Sequence, residues 1–226
     1  MQNQPGRTLA PQVALFDLDG TLTWKDTLLP FLRGYLARYP ARVLRLWRVP
    51  LALAGYVVGV SDRGVLKSRL IRAVMGGESR ARIDAWAASF VNNLHARGAF
   101  RPRALAVLSE HRAAGDSLVL LSASPDLYVP NIGRLLGFER TVCTTLRWRG
   151  DILDGHLNSA NCRGEEKVLC LQELRGAYPD KPFIAYGNSL SDLAHMRQAD
   201  RAVLVNGDAA ARRLAGRWSI PTAEWT

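Results

Sequence analysis

The spacing of hydrophobic and polar residues changes twice along the chain. Residues 13 to 16 form a short apolar run that ends in Asp-x-Asp-Gly, which is typical of a buried strand followed by a turn. Between residues 27 and 97 apolar residues recur at helical spacing; Ile83, Trp86, Phe90 and Leu94 are an example. This second stretch predicts about four helices and no strand.

Beyond Pro102 the pattern alternates between apolar strand-like runs and helical periodicity. Strands are predicted at residues 118 to 121, 142 to 146, 183 to 186 and 202 to 205, and a hairpin at Gly150-Asp151. Helices are predicted at residues 104 to 114, 164 to 177 and 189 to 198, and another is predicted to open with Ser124 as N-cap and Pro125 in its first position.

This alternation predicts an α/β fold with a doubly wound, Rossmann-like parallel sheet that has helices on both faces. The helical block interrupts the pattern after the first strand, so we interpret it as an inserted all-helical cap domain. The predicted domains are a core of residues 1–23 and 102–226 and a cap of residues 24–101.

Composition supports a globular protein in a reducing compartment. The chain has 226 residues, 48% of them apolar, which is enough for a sizeable core. Its three cysteines form no CxxC pair, which argues against a disulfide framework. The first twelve residues lack the apolar stretch of a signal peptide. We therefore expect a cytoplasmic protein.

The net charge of +10 is concentrated in one part of the chain, where residues 33 to 82 hold eleven Arg or Lys against two acids. Such a block can face anionic lipid, phosphorylated substrates or nucleic acid, or it can be a solvated helix face. No aromatic residues are interleaved in a basic stripe, so nucleic acid is not expected as a partner. Glycine-rich nucleotide-binding motifs are also absent from the sequence.

Polar side chains follow the predicted strands where each strand ends. In open parallel sheets, ligands bind beyond the carboxyl ends of the strands. The residues at this edge are two carboxylates after the first strand, a hydroxyl, a helix-borne ammonium, and an amide with a third carboxylate: Asp17, Asp19, Ser122, Lys167, Asn188 and Asp192.

This set of groups suits phosphoryl transfer. A carboxylate can attack phosphorus to form an aspartyl phosphate, and a second acid can protonate the leaving oxygen and later deprotonate water. Carboxylates this close would repel each other and an anionic substrate, which a divalent cation and a lysine offset. Mg²⁺ prefers oxygen ligands and is the predicted cofactor.

Four segments in order, "FDLDGTLT", "LLSAS", "GEEK" and "GNSLSD", resemble the motifs of the haloacid dehalogenase superfamily of hydrolases. The helical insertion after the first motif resembles the phosphoserine-phosphatase-like branch, subfamily IB. The resemblance covers about residues 13 to 207. It implies that Asp17 is the nucleophile and Asp19 the acid/base, and that Ser122 and Lys167 bind the phosphoryl group.

The resemblance also implies that magnesium is held by Asp17, the backbone carbonyl of Asp19 and an acid of the fourth motif. That motif usually reads GDSxxD, but here Asn188 replaces the first acid and Asp192 is retained. We predict both as metal-site residues, with weaker metal binding because Asn188 carries no charge.

Substrate contacts are predicted at Asp26, Ala123 and Ser124. Asp26 falls where phosphoserine phosphatases carry a glutamate that binds the substrate's amino group, and its alternative role is a helix N-cap. Trp24 and Lys25 flank it.

Residues 49 to 60 are uncharged but too few to span a bilayer, which takes about 20 residues. Preceded by Arg42, Arg45 and Arg48, they could rest on a membrane and admit a phospholipid, or form the core of a helical bundle. Some members of this branch are phosphatidylglycerophosphate phosphatases.

Two functions follow from the sequence. The first is a Mg²⁺-dependent phosphomonoester hydrolase that acts through an aspartyl-phosphate on a phosphoserine-like metabolite or a lipid phosphate such as phosphatidylglycerophosphate. The alternative is a weakly active or inactive phosphatase scaffold that binds anionic lipid or nucleic acid. Asn188 favours the alternative, and the other five strand-end residues favour the enzyme.

Overall fold

The computed structural model describes residues 10–48 and 63–226. A six-stranded parallel sheet with the strand order β3-β2-β1-β6-β7-β8 lies at the centre of the fold. The strands are β1 (Val13–Phe16), β2 (Ser117–Pro125), β3 (Arg140–Thr144), β4 (Leu146–Arg149), β5 (Ile152–Leu157), β6 (Phe183–Gly187), β7 (Arg201–Val205) and β8 (Thr222–Ala223). Strands β4 and β5 form a separate antiparallel hairpin.

The helices are α1 (Leu28–Arg38), α2 (Arg63–Met75), α3 (Arg80–Ala96), α4 (Pro102–Ala113), α5 (Val129–Leu135), α6 (Glu165–Ala177), α7 (Leu190–Gln198) and α8 (Ala209–Arg217), with a 3₁₀ segment at Pro40–Arg48. None of those in the described part of the chain is long and apolar enough to cross a bilayer.

Helices cover both faces of the sheet because β1 is apolar at every position. Ala14 and Phe16 pack with apolar residues of the inserted helices and α4, whereas Val13 and Leu15 pack with those of α6, α7 and α8. A strand buried on both faces has no polar alternation. The predicted α/β fold with a doubly wound parallel sheet is confirmed.

The register of the three central strands brings their carboxyl ends to one edge. Phe16, the last residue of β1, pairs with Leu120 of β2 and with Tyr186 of β6. The residues that follow these positions, including Asp17, Ser122 and Asn188, therefore lie side by side although more than 60 residues separate them along the chain.

The inserted segment contains three α-helices and the 3₁₀ segment in its described part, in accord with the helical prediction. It also contacts the β4–β5 hairpin, which turns at Gly150-Asp151 as predicted. The Ser68 hydroxyl donates to the Gly155 carbonyl at 3.3 Å, and the Gly77 N–H donates to the Leu153 carbonyl at 2.8 Å. The division into core and cap at residues 24 and 101 stays a prediction.

The predicted helix start at Ser124-Pro125 is wrong. Strand β2 continues through Pro125, and α5 begins only at Val129. The Ser124 hydroxyl donates to Asp19 Oδ2 at 2.6 Å, so this serine binds a carboxylate of the candidate site and does not begin a helix. A proline is tolerated at the end of a strand because no ladder N–H is required there.

Candidate active site

The predicted site residues surround one cavity of about 480 Å³ at the carboxyl edge of the sheet. Those that line it are Asp17, Asp19, Asp26, Ala123, Ser124, Lys167, Asn188 and Asp192. Ser122 is fully buried and does not line the cavity, but its Oγ accepts a 3.0 Å hydrogen bond from the Ser124 N–H. Ser122 therefore shapes the loop that forms the cavity wall.

Lys167 holds two of the carboxylates together. Its Nζ donates to Asp17 Oδ1 and to Asp192 Oδ1, both at 2.7 Å, and the side chain is 2% exposed. Burial alone would lower the pKa of Lys167, but the two carboxylates outweigh burial and raise it. The lysine therefore remains an ammonium ion in the site.

Asp17 is the carboxylate with spare bonding capacity. Among the described residues, its Oδ2 receives a single hydrogen bond, from the Thr21 hydroxyl at 3.3 Å. Burial raises the pKa of Asp17 to about 7, although Lys167 acts in the opposite direction. A carboxylate so poorly solvated gains from contact with a cation or an electrophile, as the proposed nucleophile should.

Asp192, in contrast, has both oxygens engaged by the protein. Its Oδ2 accepts from the Ser189 hydroxyl at 2.7 Å and from the N–H groups of Ser189 and Asn188 at 3.0 and 3.3 Å. Burial raises the pKa of Asp192, but Lys167, together with His195 and the Ser189 hydrogen bond, holds that pKa well below its usual range. Asp192 thus fixes both the lysine and the start of α7.

Asp19 is held by three short hydrogen bonds. Its Oδ1 accepts from the N–H and the hydroxyl of Thr27, both at 2.7 Å, and its Oδ2 accepts from Ser124. Burial raises the pKa of Asp19. The Thr27 hydroxyl also lies 2.9 Å from the Tyr128 hydroxyl. Neither Thr27 nor Tyr128 could be predicted from the sequence, because neither belongs to a recognisable motif.

Asp26 caps helix α1. Its Oδ1 accepts from the N–H groups of Leu28 and Leu29 at 2.9 and 3.3 Å, which is the N-cap role considered from the sequence. It also lines the cavity, so a contact with substrate stays a prediction.

The residues beside Asp17 fit a magnesium ion. An ideal Cβ on Gly20 would lie 2.1 Å from Asn188 Nδ2, so the Asn188 side chain lies against the turn that carries Asp17 and Asp19. Within the described residues, the Asn188 amide makes no side-chain hydrogen bond, and no group of three or more His, Cys, Asp or Glu has metal-binding geometry. The available donors are carboxylate, amide and carbonyl oxygens, which Mg²⁺ prefers.

A basic wall that the sequence analysis missed forms the outer part of the cavity. Its cationic residues are Lys25, Arg63, Lys67 and Arg163. The Lys67 ammonium donates to Asn161 Oδ1 at 2.5 Å and to the Ala123 carbonyl. Burial lowers the pKa of Lys67 to about 8. No spacing rule connects a lysine on α2 with the end of β2, so only the fold reveals this contact.

Comparison with known proteins identifies the family. The family model described as haloacid dehalogenase-like hydrolase matches residues 14–197. The chain belongs to this family. The superfamily predicted from the four motifs is thereby confirmed.

Individual relatives agree with this assignment. Protein CicA of Caulobacter vibrioides is 39% identical over 194 residues, which cover 84% of each chain. A Bordetella pertussis protein of unknown function has the same fold, with a TM-score of 0.79, 21% identity and coverage of 94% of this chain and 98% of that one. A substrate-bound phosphoserine phosphatase also shares the fold, with a TM-score of 0.64, 13% identity and coverage of 91% and 90%.

His195 provides a stability test of the buried site. It is 1% exposed, its Nδ1 has no partner in the described residues, and burial lowers its pKa from 6.5 to about 3. Below pH 6.5 the unfolded chain therefore binds a proton at His195, whereas the folded protein does not bind it until the pH approaches 3. Stability from the neutral His195 is present above pH 6.5 and is lost as pH falls toward 3.

We predict that His195 lowers the free energy of unfolding by up to about 1.4 kcal/mol per pH unit as the pH falls below 6.5, against the opposite contribution of Asp17, whose raised pKa lets the folded protein bind a proton first. His195→Leu should remove that contribution, whereas His95→Leu, at an exposed position, should keep it. Urea unfolding at several pH values measures the slopes. Equal slopes in wild type and His195→Leu would contradict the prediction.

Proposed function

We propose that the protein is a Mg²⁺-dependent phosphomonoester hydrolase that acts through an aspartyl-phosphate on Asp17. The observation that carries the proposal is the hydrogen bonding of this carboxylate. One oxygen accepts from the buried Lys167 ammonium, and the other accepts a long hydrogen bond from Thr21. The fold shared with phosphoserine phosphatases supports it.

In the proposed reaction an oxygen of Asp17 attacks phosphorus, and the bond between phosphorus and the leaving oxygen breaks. Asp19, whose raised pKa favours a proton, gives that proton to the leaving oxygen. Asp19 then takes a proton from water as the water attacks phosphorus, which releases Asp17 and phosphate. The Lys167 ammonium offsets the phosphoryl charge throughout. Ser122, which is buried outside the cavity, accepts from the Ser124 N–H and so positions the loop beside the phosphoryl group.

Mg²⁺ held by Asp17, the Asp19 carbonyl and Asn188, with Asp192 directly or through water, would supply positive charge between the substrate and the carboxylates. No replacement of Asn188 is needed for this role, because an amide oxygen is also a magnesium ligand.

Asp17→Asn should abolish hydrolysis of an aryl phosphate, and Asp19→Asn should lower kcat by roughly 100- to 10,000-fold, the usual contribution of general acid–base catalysis. Asp84→Asn, on the exposed face of α3, is the matched control and should retain wild-type activity. Acid quenching followed by mass spectrometry should find phosphate on Asp17 only. Turnover by Asp17→Asn, or turnover in excess chelator, would rule out this mechanism.

Asn188→Asp should tighten magnesium binding, because it adds a charge to an oxygen that already lies beside the Asp17 turn. The midpoint of a magnesium titration of activity should fall relative to wild type. Asn188→Ala removes the oxygen and should raise the midpoint. A midpoint that is the same in all three proteins would place the metal elsewhere.

We further propose that the leaving group of the substrate is anionic. Four cationic residues besides Lys167 line the cavity, and Asp26, the acid next to Lys25 in sequence, accepts hydrogen bonds from the first N–H groups of α1. A phosphoserine-like carboxylate and the phosphodiester of phosphatidylglycerophosphate both meet this requirement. A wall of unlike charge raises affinity and association rate for such a group.

Three substrates of similar size test the charge of the leaving group: phosphoglycolate, ethyl phosphate and phosphoethanolamine. The value of kcat/KM should fall in that order, with about tenfold between the first two if one ionic contact contributes about 1.4 kcal/mol. Lys67→Met should remove most of this preference, whereas Arg69→Met, exposed on the same helix, should keep it. A preference for phosphoethanolamine would contradict the proposal.

Peripheral membrane contact stays a prediction. Val43 and Leu44 are exposed on the 3₁₀ segment, but Arg42 and Arg45 both donate to the Gly76 carbonyl, and Arg42 also pairs with Glu78. These two arginines therefore pack the insertion. Residues 49 to 60 and the Arg48 side chain lie outside the described residues.

A further inference from the structure

Two of the three cysteines are in contact beside the catalytic lysine. The Sγ atoms of Cys162 and Cys170 are 3.9 Å apart. Cys162 lies in the loop before α6 and is 2% exposed, whereas Cys170, on the second turn of α6, is partly exposed. Lys167 lies between them along the chain. The sequence spacing gave no sign of this pairing because the two cysteines form no CxxC motif.

We propose that Cys162 and Cys170 are a reversible oxidation site at which a peroxide forms a disulfide. The Cys170 thiolate attacks the peroxide, the O–O bond breaks, and Cys170 becomes a sulfenic acid as hydroxide leaves. The Cys162 thiol then attacks that sulfur, the S–O bond breaks, and water leaves with the thiol proton. Each peroxide accepts two electrons, and a dithiol reverses the reaction.

The geometry assigns the two roles. Cys170 is the cysteine that solvent reaches, and its hydrogen bond with Cys162 lowers the pKa of Cys170 while it raises that of Cys162. Bond formation requires the sulfur atoms to approach to about 2.05 Å, a movement of about 2 Å that the loop before α6 would have to supply. Disulfides in reducing compartments are usually transient and regulatory, so a reversible disulfide is compatible with the reducing compartment expected from the sequence.

Oxidation should disturb the cavity because Cys162 anchors its wall. The Cys162 N–H donates to the Thr144 hydroxyl at 3.0 Å, and that hydroxyl donates to the Ala123 carbonyl at 2.8 Å. The neighbours of Cys162 in sequence, Asn161 and Arg163, both line the cavity. Drawing Cys162 toward α6 therefore moves the acceptor of Lys67. This effect on turnover, but not the disulfide itself, rests on the proposed function.

The disulfide can be tested without any activity. The full-length protein is treated with hydrogen peroxide, blocked with an alkylating reagent and digested with trypsin, which cuts after Arg149, Arg163, Lys167 and Arg175. A linked pair of peptides, residues 150–163 with residues 168–175, should form and disappear with dithiothreitol. In Cys162→Ser, dimedone should label Cys170. Oxidation to sulfinic or sulfonic acid without the linked pair would overturn the proposal.

Activity on an aryl phosphate then tests the coupling. Peroxide should lower kcat/KM of the wild type at least about tenfold, and dithiothreitol should restore it. Cys170→Ser should resist peroxide, whereas Cys143→Ser, which leaves the pair intact, should remain sensitive. A linked pair with unchanged activity would overturn the coupling. Absence of activity in the reduced protein would overturn the proposed function and leave the peptide result to decide the disulfide.

Discussion

The pairing of the buried Lys167 ammonium with two carboxylates is the interaction on which the rest of the site depends. Two carboxylates, Asp17 and Asp192, come from the ends of different strands and share this one cation at 2.7 Å each. Removing a charged group from water is costly unless it is paired, and one lysine cannot fully offset two acids. The trio therefore carries an excess negative charge in a buried place, and the pKa of Asp17 is raised chiefly by burial, with a further contribution from Asp192.

The inserted helices contact the proposed catalytic and substrate-binding residues directly. Thr27 stands at the start of the insertion and gives two of the three hydrogen bonds that orient Asp19. Lys67 reaches from α2 to the end of β2 and contacts Ala123. The proposed acid/base and the proposed substrate wall are thus both set by where the insertion lies on the core. If both proposals hold, selection of substrate and protonation of the leaving group depend on the same packing of the insertion against the core.

The sequence predicted the fold and the strand-end residues because both follow from local patterns. A fully apolar strand before Asp17 indicates burial on both faces, and parallel strands bring their ends together whatever the length of chain between them. It failed at Ser124-Pro125, where the usual signature of a helix start has a different use because the hydroxyl binds Asp19. It also missed Lys67 and the Cys162–Cys170 pair, which depend on how separate elements pack and have no fixed spacing.

The presence of Asn188 where the family motif has an acid can be explained by the net charge of Asp17, Asp192 and Lys167 at the base of the cavity. With Asn188, the trio of Asp17, Asp192 and Lys167 leaves one uncompensated negative charge, and a second acid beside Gly20 would have left two. Repulsion would then raise the pKa of Asp17 further and make the metal-free site harder to fold. The uncharged Asn188 amide lies against the same turn and avoids that repulsion, so the proposed metal site would trade some affinity for stability without the ion. The trio of Asp17, Asp192 and Lys167 then needs less positive charge to balance it, while the basic wall of the cavity provides several cations. This arrangement suits the proposed substrate, which carries a second anionic group besides its phosphate.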